Sequence, residues 1–201
     1  MDEGTYLLVT GTRMASGNVK ATHRIFNIQR GKTTALDLHL RTSDTEVSVI
    51  GNFNSESVFT SNNRQVSILS QTGRGYFVVG LIGPGQEPTN HALRDIAKLT
   101  AAFDEWQRPL VLLFESEADA QKFNPHEFGR LPEHTIFGID TDGSIKRQIV
   151  AQMKLQDSRQ LPIFIIADTF NRVLFSSQGY TIGLGEQLQN VIRKLAAPLS
   201  R

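Results

Sequence analysis

The sequence predicts an α/β domain, a mixed central sheet flanked by helices, preceded by a small all-β antiparallel domain. Three observations lead there. Residues 75–82, 110–114 and 163–167 are short continuous apolar runs, the pattern of strands buried on both faces. Amphipathic segments at 90–106, 144–155 and 185–196 alternate with them, which implies parallel strands and crossover helices. Residues 4–52 instead carry β-branched or alternating segments separated by short turns.

In the first part, Thr5 to Thr10 is rich in β-branched and aromatic residues, and Ala15-Ser16-Gly17-Asn18 is a turn cluster. Val19 to Ile28 is a second strand, and Arg30-Gly31-Lys32 a second turn. Thr34 to Leu40 alternates cleanly, with Leu36, Leu38 and Leu40 on one face. Glu46 to Ile50 is expected to be a fourth strand. Residues 53–65 read as a polar connector, and the domain boundary is placed between 54 and 55. The expected domains are therefore 1–54 and 55–201.

In the second part, a short strand at Gln65–Leu69 precedes the apolar run at 75–82. The loop Gly83-Pro84-Gly85-Gln86-Glu87-Pro88 leads into a helix from Asn90 to Trp106, stopped by Arg108-Pro109. Leu110–Phe114 is a strand, Glu117–Phe123 a short helix and Thr135–Ile139 a strand. Ser144 is placed as the N-cap of a helix reaching Leu155. Leu161-Pro162 opens the strand 163–167, and Asp168–Asn171 turns into the strand Arg172–Phe175. Gly185–Ala196 is the closing helix.

The totals limit function. The 201 residues are 39% hydrophobic and 20% charged, with net charge +1 and no concentrated basic patch, so no nucleic-acid partner is expected. No apolar run approaches the ~20 residues that span a bilayer, so no membrane insertion is expected. The chain has no cysteine, which excludes thiolate chemistry, disulfides and thiolate metal sites. No signal peptide is visible at the N-terminus.

The second part resembles a thioredoxin-like domain of the TlpA type. Three features carry the resemblance. Phe59-Thr60, Gln65 to Ile68 and Gly73 to Val79 look like the family's opening hairpin and first central strand. Leu81 to Leu99 occupies the place of its redox loop and helix. Leu161 to Asp168 resembles the segment in which a cis-proline precedes a strand. The family's Cys-x-x-Cys would fall on Pro84-Gly85-Gln86-Glu87, so its thiol-exchange activities are not implied. The resemblance implies a cis peptide bond at Pro162.

The first part resembles the β-region that follows the catalytic domain in bacterial transglutaminase-like proteins of the Bacteroidetes type. Tyr6 to Arg13, Gly17-Asn18-Val19 and Val49-Ile50-Gly51 carry that likeness. It implies that the chain is the C-terminal accessory part of a longer secreted or periplasmic protein. The catalytic Cys, His and Asp would lie upstream, and that catalytic domain would itself be a partner.

These readings give a non-catalytic, redox-inactive interaction module. Glu87, Asn90, His91 and Pro162 are the expected binding residues for a peptide or protein. The plainer alternative is that Glu87 and Thr89 cap the helix while His91 is a surface residue. A third reading is an enzyme using Glu87 or His91 as acid or base in the same cleft. No catalytic residue, metal ligand or cofactor is assigned. Asp140-Thr141-Asp142-Gly143 starts like a calcium loop, but Ala151 stands where the closing Glu belongs. His23, His39, His91, His126 and His134 include no pair at i, i+4 spacing. Neither a nucleophile elbow nor a phosphate-binding loop is present.

Overall fold

A computed structural model describes residues 3–13, 19–33, 47–153, 155, 160–180 and 183–196. The chain divides into two compact units, Met1–Val49 and Ile50–Arg201, ahead of the boundary expected at 54–55. In the first, β1 (Gly4–Arg13) pairs antiparallel with β2 (Val19–Ile28), from Gly4 opposite Ile28 to Arg13 opposite Val19. The Glu3 carboxylate accepts the Arg30 N–H at 2.8 Å. The expected turn at 15–18 and the alternation at 34–40 lie outside the described residues.

One expectation for the first part is corrected. Residues 47–50 carry no regular structure, and the strand is instead β3 (Gly51–Asn52). Its partner belongs to the second unit: Gly51 and Asn52 lie opposite Val173 and Arg172. The polar composition of 53–65 is also misleading. Phe53, Ser55 and Phe59 are almost fully buried there. Asn171 Oδ1 accepts both the N–H and the hydroxyl of Ser55, at 2.9 and 3.1 Å, which ties this stretch to the sheet.

The second unit continues with β4 (Val58–Ser61), β5 (Arg64–Ser67), α1 (Ile68–Thr72) and β6 (Tyr76–Leu81). Next come α2 (Glu87–Lys98), α3 (Thr100–Trp106), β7 (Leu110–Phe114) and α4 (Glu117–Lys122). A 3-10 turn (Pro125–Phe128), β8 (Thr135–Ile139), α5 (Ser144–Met153), β9 (Ile163–Asp168), β10 (Arg172–Gln178) and α6 (Leu184–Ala196) complete it. The eight strands run in the order β3-β10-β9-β6-β7-β8-β4-β5. β6, β7 and β8 are parallel, while β9 runs antiparallel to β6.

Strand period explains the two cores. Phe77, Val79 and Leu81 point to one face with Ile163, Ile165 and α5's Ile145 and Ile149. Val78 and Ile82 point to the other with Phe164, Ile166, α2's Leu93 and Ile96, and α6's Leu188 and Ile192. The central strands are therefore covered on both sides, as their unbroken apolar runs require.

The segment expected as one helix from 90 to 106 is two. Glu87 starts α2, with Pro88 tolerated in its first turn. Leu99 (φ −96°, ψ 6°) breaks the path before α3, and Thr100 Oγ1 donates to both Ala97 O and Arg130 O. Ser144 is the first residue of α5 rather than its cap. Asp140 caps the helix instead, accepting the N–H groups of Ile145 and Lys146 at 3.2 and 2.8 Å. Asp142 accepts the Ser144 N–H at 3.0 Å, and hydrogen bonding from the Ser144 side chain, then from its backbone, holds the Asp142 carboxyl below the usual range. Both carboxylates of the calcium-like stretch are thereby engaged in helix initiation.

Candidate functional site

The β6–β9 register builds the site. Leu81 lies opposite Ile163, so the next step along each strand sets Ile82 beside Pro162. The loop that begins at Gly83 therefore leaves the sheet next to Pro162, whose bond to Leu161 is cis. The loop is anchored from within. Buried Thr89 accepts the Gly83 N–H on its hydroxyl at 3.2 Å, and the Gln86 N–H donates to Gly83 O at 3.2 Å. Gln86 occupies the N-cap of α2 without a side-chain capping bond, so Glu87 in the first turn is the acidic complement to that helix end.

Glu87, His91 and Asp95 share one face of α2, at successive i, i+4 positions. Glu87 Oε1 and His91 Nε2 are 3.4 Å apart. The His91 ring stacks on Tyr180, with centroids 5.1 Å apart and planes 27° from parallel. The Tyr180 hydroxyl donates to Asp95 at 3.1 Å, and Lys98 bonds the other Asp95 oxygen at 3.0 Å. The Gly179 N–H bonds Pro162 O at 2.8 Å, so the backbone that positions Tyr180 is the one that holds the cis-proline. Desolvation pushes the Tyr180 phenol above its ordinary pKa, and its bond to Asp95 adds to the shift.

Three of the expected residues meet this arrangement: Glu87 and His91 at the surface and, through Gly179, Pro162, which is itself buried. Asn90 is half-buried and donates its N–H to Gln86 O; its side-chain amide makes no hydrogen bond among the described residues. Sequence reading missed Tyr180 and Asp95. The 87/91/95 spacing was a usable signal for Asp95, whereas Tyr180 arrives from far along the chain. Chemically this is an aromatic shelf with an acidic border. The Glu87 and His91 side chains are 87% and 46% exposed, so their pairing is a surface contact and not a desolvated acid–base couple.

Other features lie elsewhere. Grooves of about 570 and 300 Å³ flank β8, away from this shelf. Among the described residues no three His, Cys, Asp or Glu side chains gather as metal ligands, and no helix is long and apolar enough to cross a membrane.

Fold and site define a class: a thioredoxin-like α/β domain without thiols. Comparison with solved structures supports the fold. A protein assigned as the thiol:disulfide interchange protein DsbE of Chlorobium tepidum aligns with a TM-score of 0.54 and 15% identity, over 74% of this chain and 99% of that one. The bacterioferritin comigratory protein of Xanthomonas campestris, an alkyl peroxide reductase, gives 0.53 and 11%, over 71% and 94%. A thioredoxin-like protein of Bacteroides caccae gives 0.51 and 17%, over 71% of this chain and 48% of the other. No protein-family model and no curated protein matches the sequence.

Proposed function

We propose that this chain is a redox-inactive accessory module that binds an extended peptide or protein segment on the shelf formed by the 83–91 loop and Tyr180, with the buried Pro162 as its support. The observation that carries the reading is what stands in place of a reactive centre. The helix, loop and cis-proline are present, but Pro84 and Glu87 stand where the resemblance to the TlpA-type family would place a dithiol. A scaffold that keeps its groove and lacks its nucleophile retains recognition and loses chemistry.

The sequence likeness of residues 6–13, 17–19 and 49–51 supports a wider proposal. The chain is the C-terminal part of a larger extracytoplasmic transglutaminase-like protein, whose catalytic domain lies upstream and is itself a partner. Peptide mapping of the protein from its source cells tests this. Peptides upstream of Met1 are the expected result, and a native chain starting at Met1 overturns it.

The shelf is tested by selecting binders from a random twelve-residue peptide library displayed on phage, then measuring them against Glu87→Lys and His91→Ala. Selected peptides should bind at least about ten-fold more weakly to the double variant, with its melting temperature essentially unchanged. Equal binding removes the site. An acid–base enzyme is the second reading, favoured by the 3.4 Å approach of Glu87 to His91. It requires turnover that these substitutions abolish.

A further inference from the structure

The end of the sheet opposite the shelf gathers three arginines that are far apart in the sequence. β6 begins at Tyr76 and leaves toward the shelf at Leu81, so its first residue marks that opposite end. There Tyr76 lies opposite Asp168 on β9. Gly75, just before it, is tied twice to the turn between β9 and β10. Its carbonyl accepts the Thr169 N–H at 3.1 Å, and its own N–H donates to Thr169 Oγ1 at 3.3 Å. Arg108, at the entry to β7, donates from Nη1 to Arg74 O at 3.2 Å. Its guanidinium lies against Gly75, where an added Cβ would come within 2.8 Å of Nη1. Arg172 follows the same turn, its Cζ 5.6 Å from the centre of the Phe170 ring. Burial raises the Tyr76 phenol pKa and Asp168 adds to the rise, while Arg172 and Arg108 oppose it, so both guanidiniums act on one phenol.

Charge is not balanced here. Arg172 is neutralised by the buried Asp168. Arg74, exposed, and Arg108, half-buried, pair with no carboxylate among the described residues. A guanidinium held by one carbonyl keeps its other N–H groups for an outside acceptor, and carboxylates are the acceptors that match its fork. Phe170 is 58% exposed, the most open of the large apolar side chains among the described residues. An open ring beside two uncompensated guanidiniums complements a ligand that carries carboxylates around an apolar group. Single-stranded nucleic acid is a poorer match, because it uses successive aromatic platforms along a basic track. Phe170 is the one exposed phenylalanine among the described residues.

We propose that this end of the sheet binds an acidic peptide segment, its carboxylates on Arg74 and Arg108 and an apolar side chain on Phe170. The two bonds between Gly75 and Thr169 hold the arginine side and the phenylalanine side together, so the surface is formed before the peptide arrives.

The probe is the blocked hexapeptide Glu-Asp-Leu-Phe-Asp-Glu, titrated into the isotope-labelled full chain and followed by amide NMR shifts. Saturable shifts at 74–76, 108 and 169–172 are expected below about 1 mM. The R74E/R108E variant and a peptide with lysines in place of its acidic residues should each weaken binding at least about ten-fold. F170A, which leaves both arginines in place, should weaken it at least about three-fold. Unchanged melting temperatures confirm that the variants fold. No saturable shift, equal binding of the lysine peptide, or affinity unmoved by either variant overturns the proposal. Equal or tighter binding of a thymidine hexanucleotide at these residues also overturns it and assigns the surface to nucleic acid. Shifts confined to 83–91 and 180 overturn it and assign the peptide to the shelf.

Discussion

Asp168, almost completely buried at the end of β9, holds one turn together by itself. Its Oδ1 accepts the N–H groups of Phe170 and Arg172, and its Oδ2 takes the Arg172 guanidinium at 2.7 and 2.5 Å. Asp168→Asn removes the charge from a desolvated pair and is expected to cost about 2–3 kcal/mol, read from the urea midpoint. Tyr76 sets a pH limit nearby. Burial raises its phenol pKa above the ordinary value. As pH climbs past ~10 the unfolded phenol ionises first, so stability is intact below that point and falls as pH approaches the folded value. Tyr76→Phe should flatten this alkaline decline in urea unfolding at pH 9 to 11. At the shelf, absorbance titration should find the Tyr180 phenol ionising later than a free phenol, and Asp95→Asn should lower it part of the way, leaving the share due to desolvation. An unmoved Tyr180 titration would remove Asp95 from the site. At this scale the sequence was half legible. Glu87, His91 and Asp95 are spaced along one helix face, a pattern visible without coordinates. Tyr180 stands 85 residues from Asp95, and only tertiary folding brings them together.

Elements obey the same division between local and distant causes. β6, β7 and β9 were readable because burial on both faces leaves a continuous apolar run. α1 was not: it is a single short helix capped by the Ser67 hydroxyl, which accepts the Ser70 N–H at 3.1 Å. The strand expected at 46–50 slipped to 51–52 because its partner is β10, far along the chain. The break between α2 and α3 follows from Thr100 bonding to Arg130 O, another distant contact. The turn between β4 and β5 is Asn62-Asn63, both with left-handed φ (48° and 60°), which suits a two-residue hairpin. Gly138 on β8 gives way to the ring of Phe59, which would lie 2.2 Å from an added Cβ, with Thr60 O at 2.9 Å. Gly138→Ala should therefore cost about 1–3 kcal/mol, checked by thermal melting; a neutral result would mean that β4 moves freely over β8.

For the whole molecule, the fold was legible and the chemistry was legible mainly as an exclusion. Zero cysteines remove thiol exchange, and the order of strands and helices still gives a thioredoxin-like domain. Restoring the dithiol tests how complete the scaffold is. Residues 84–87 turn into the N-terminus of α2, where the helix dipole favours a thiolate. The Pro84→Cys/Glu87→Cys variant should oxidise to an internal disulfide, seen by mass as the loss of two hydrogens. A variant that stays a dithiol under mild oxidant would mean that this loop no longer has the shape of a redox turn.

The two-residue strand β3 has an effect out of proportion to its length. With Ile50 donating its N–H to Val173 O at 2.8 Å and Phe53 donating to Asn171 O at 3.0 Å, it occupies one end of the rim that β10 would otherwise offer to other chains. An uncovered rim is where neighbouring molecules add strand to strand. A shortened protein starting at residue 53 would retain all the central strands and the buried Phe53 yet lose this stopper. Its failure would show as growth into multimers, before any loss of the domain's own shape.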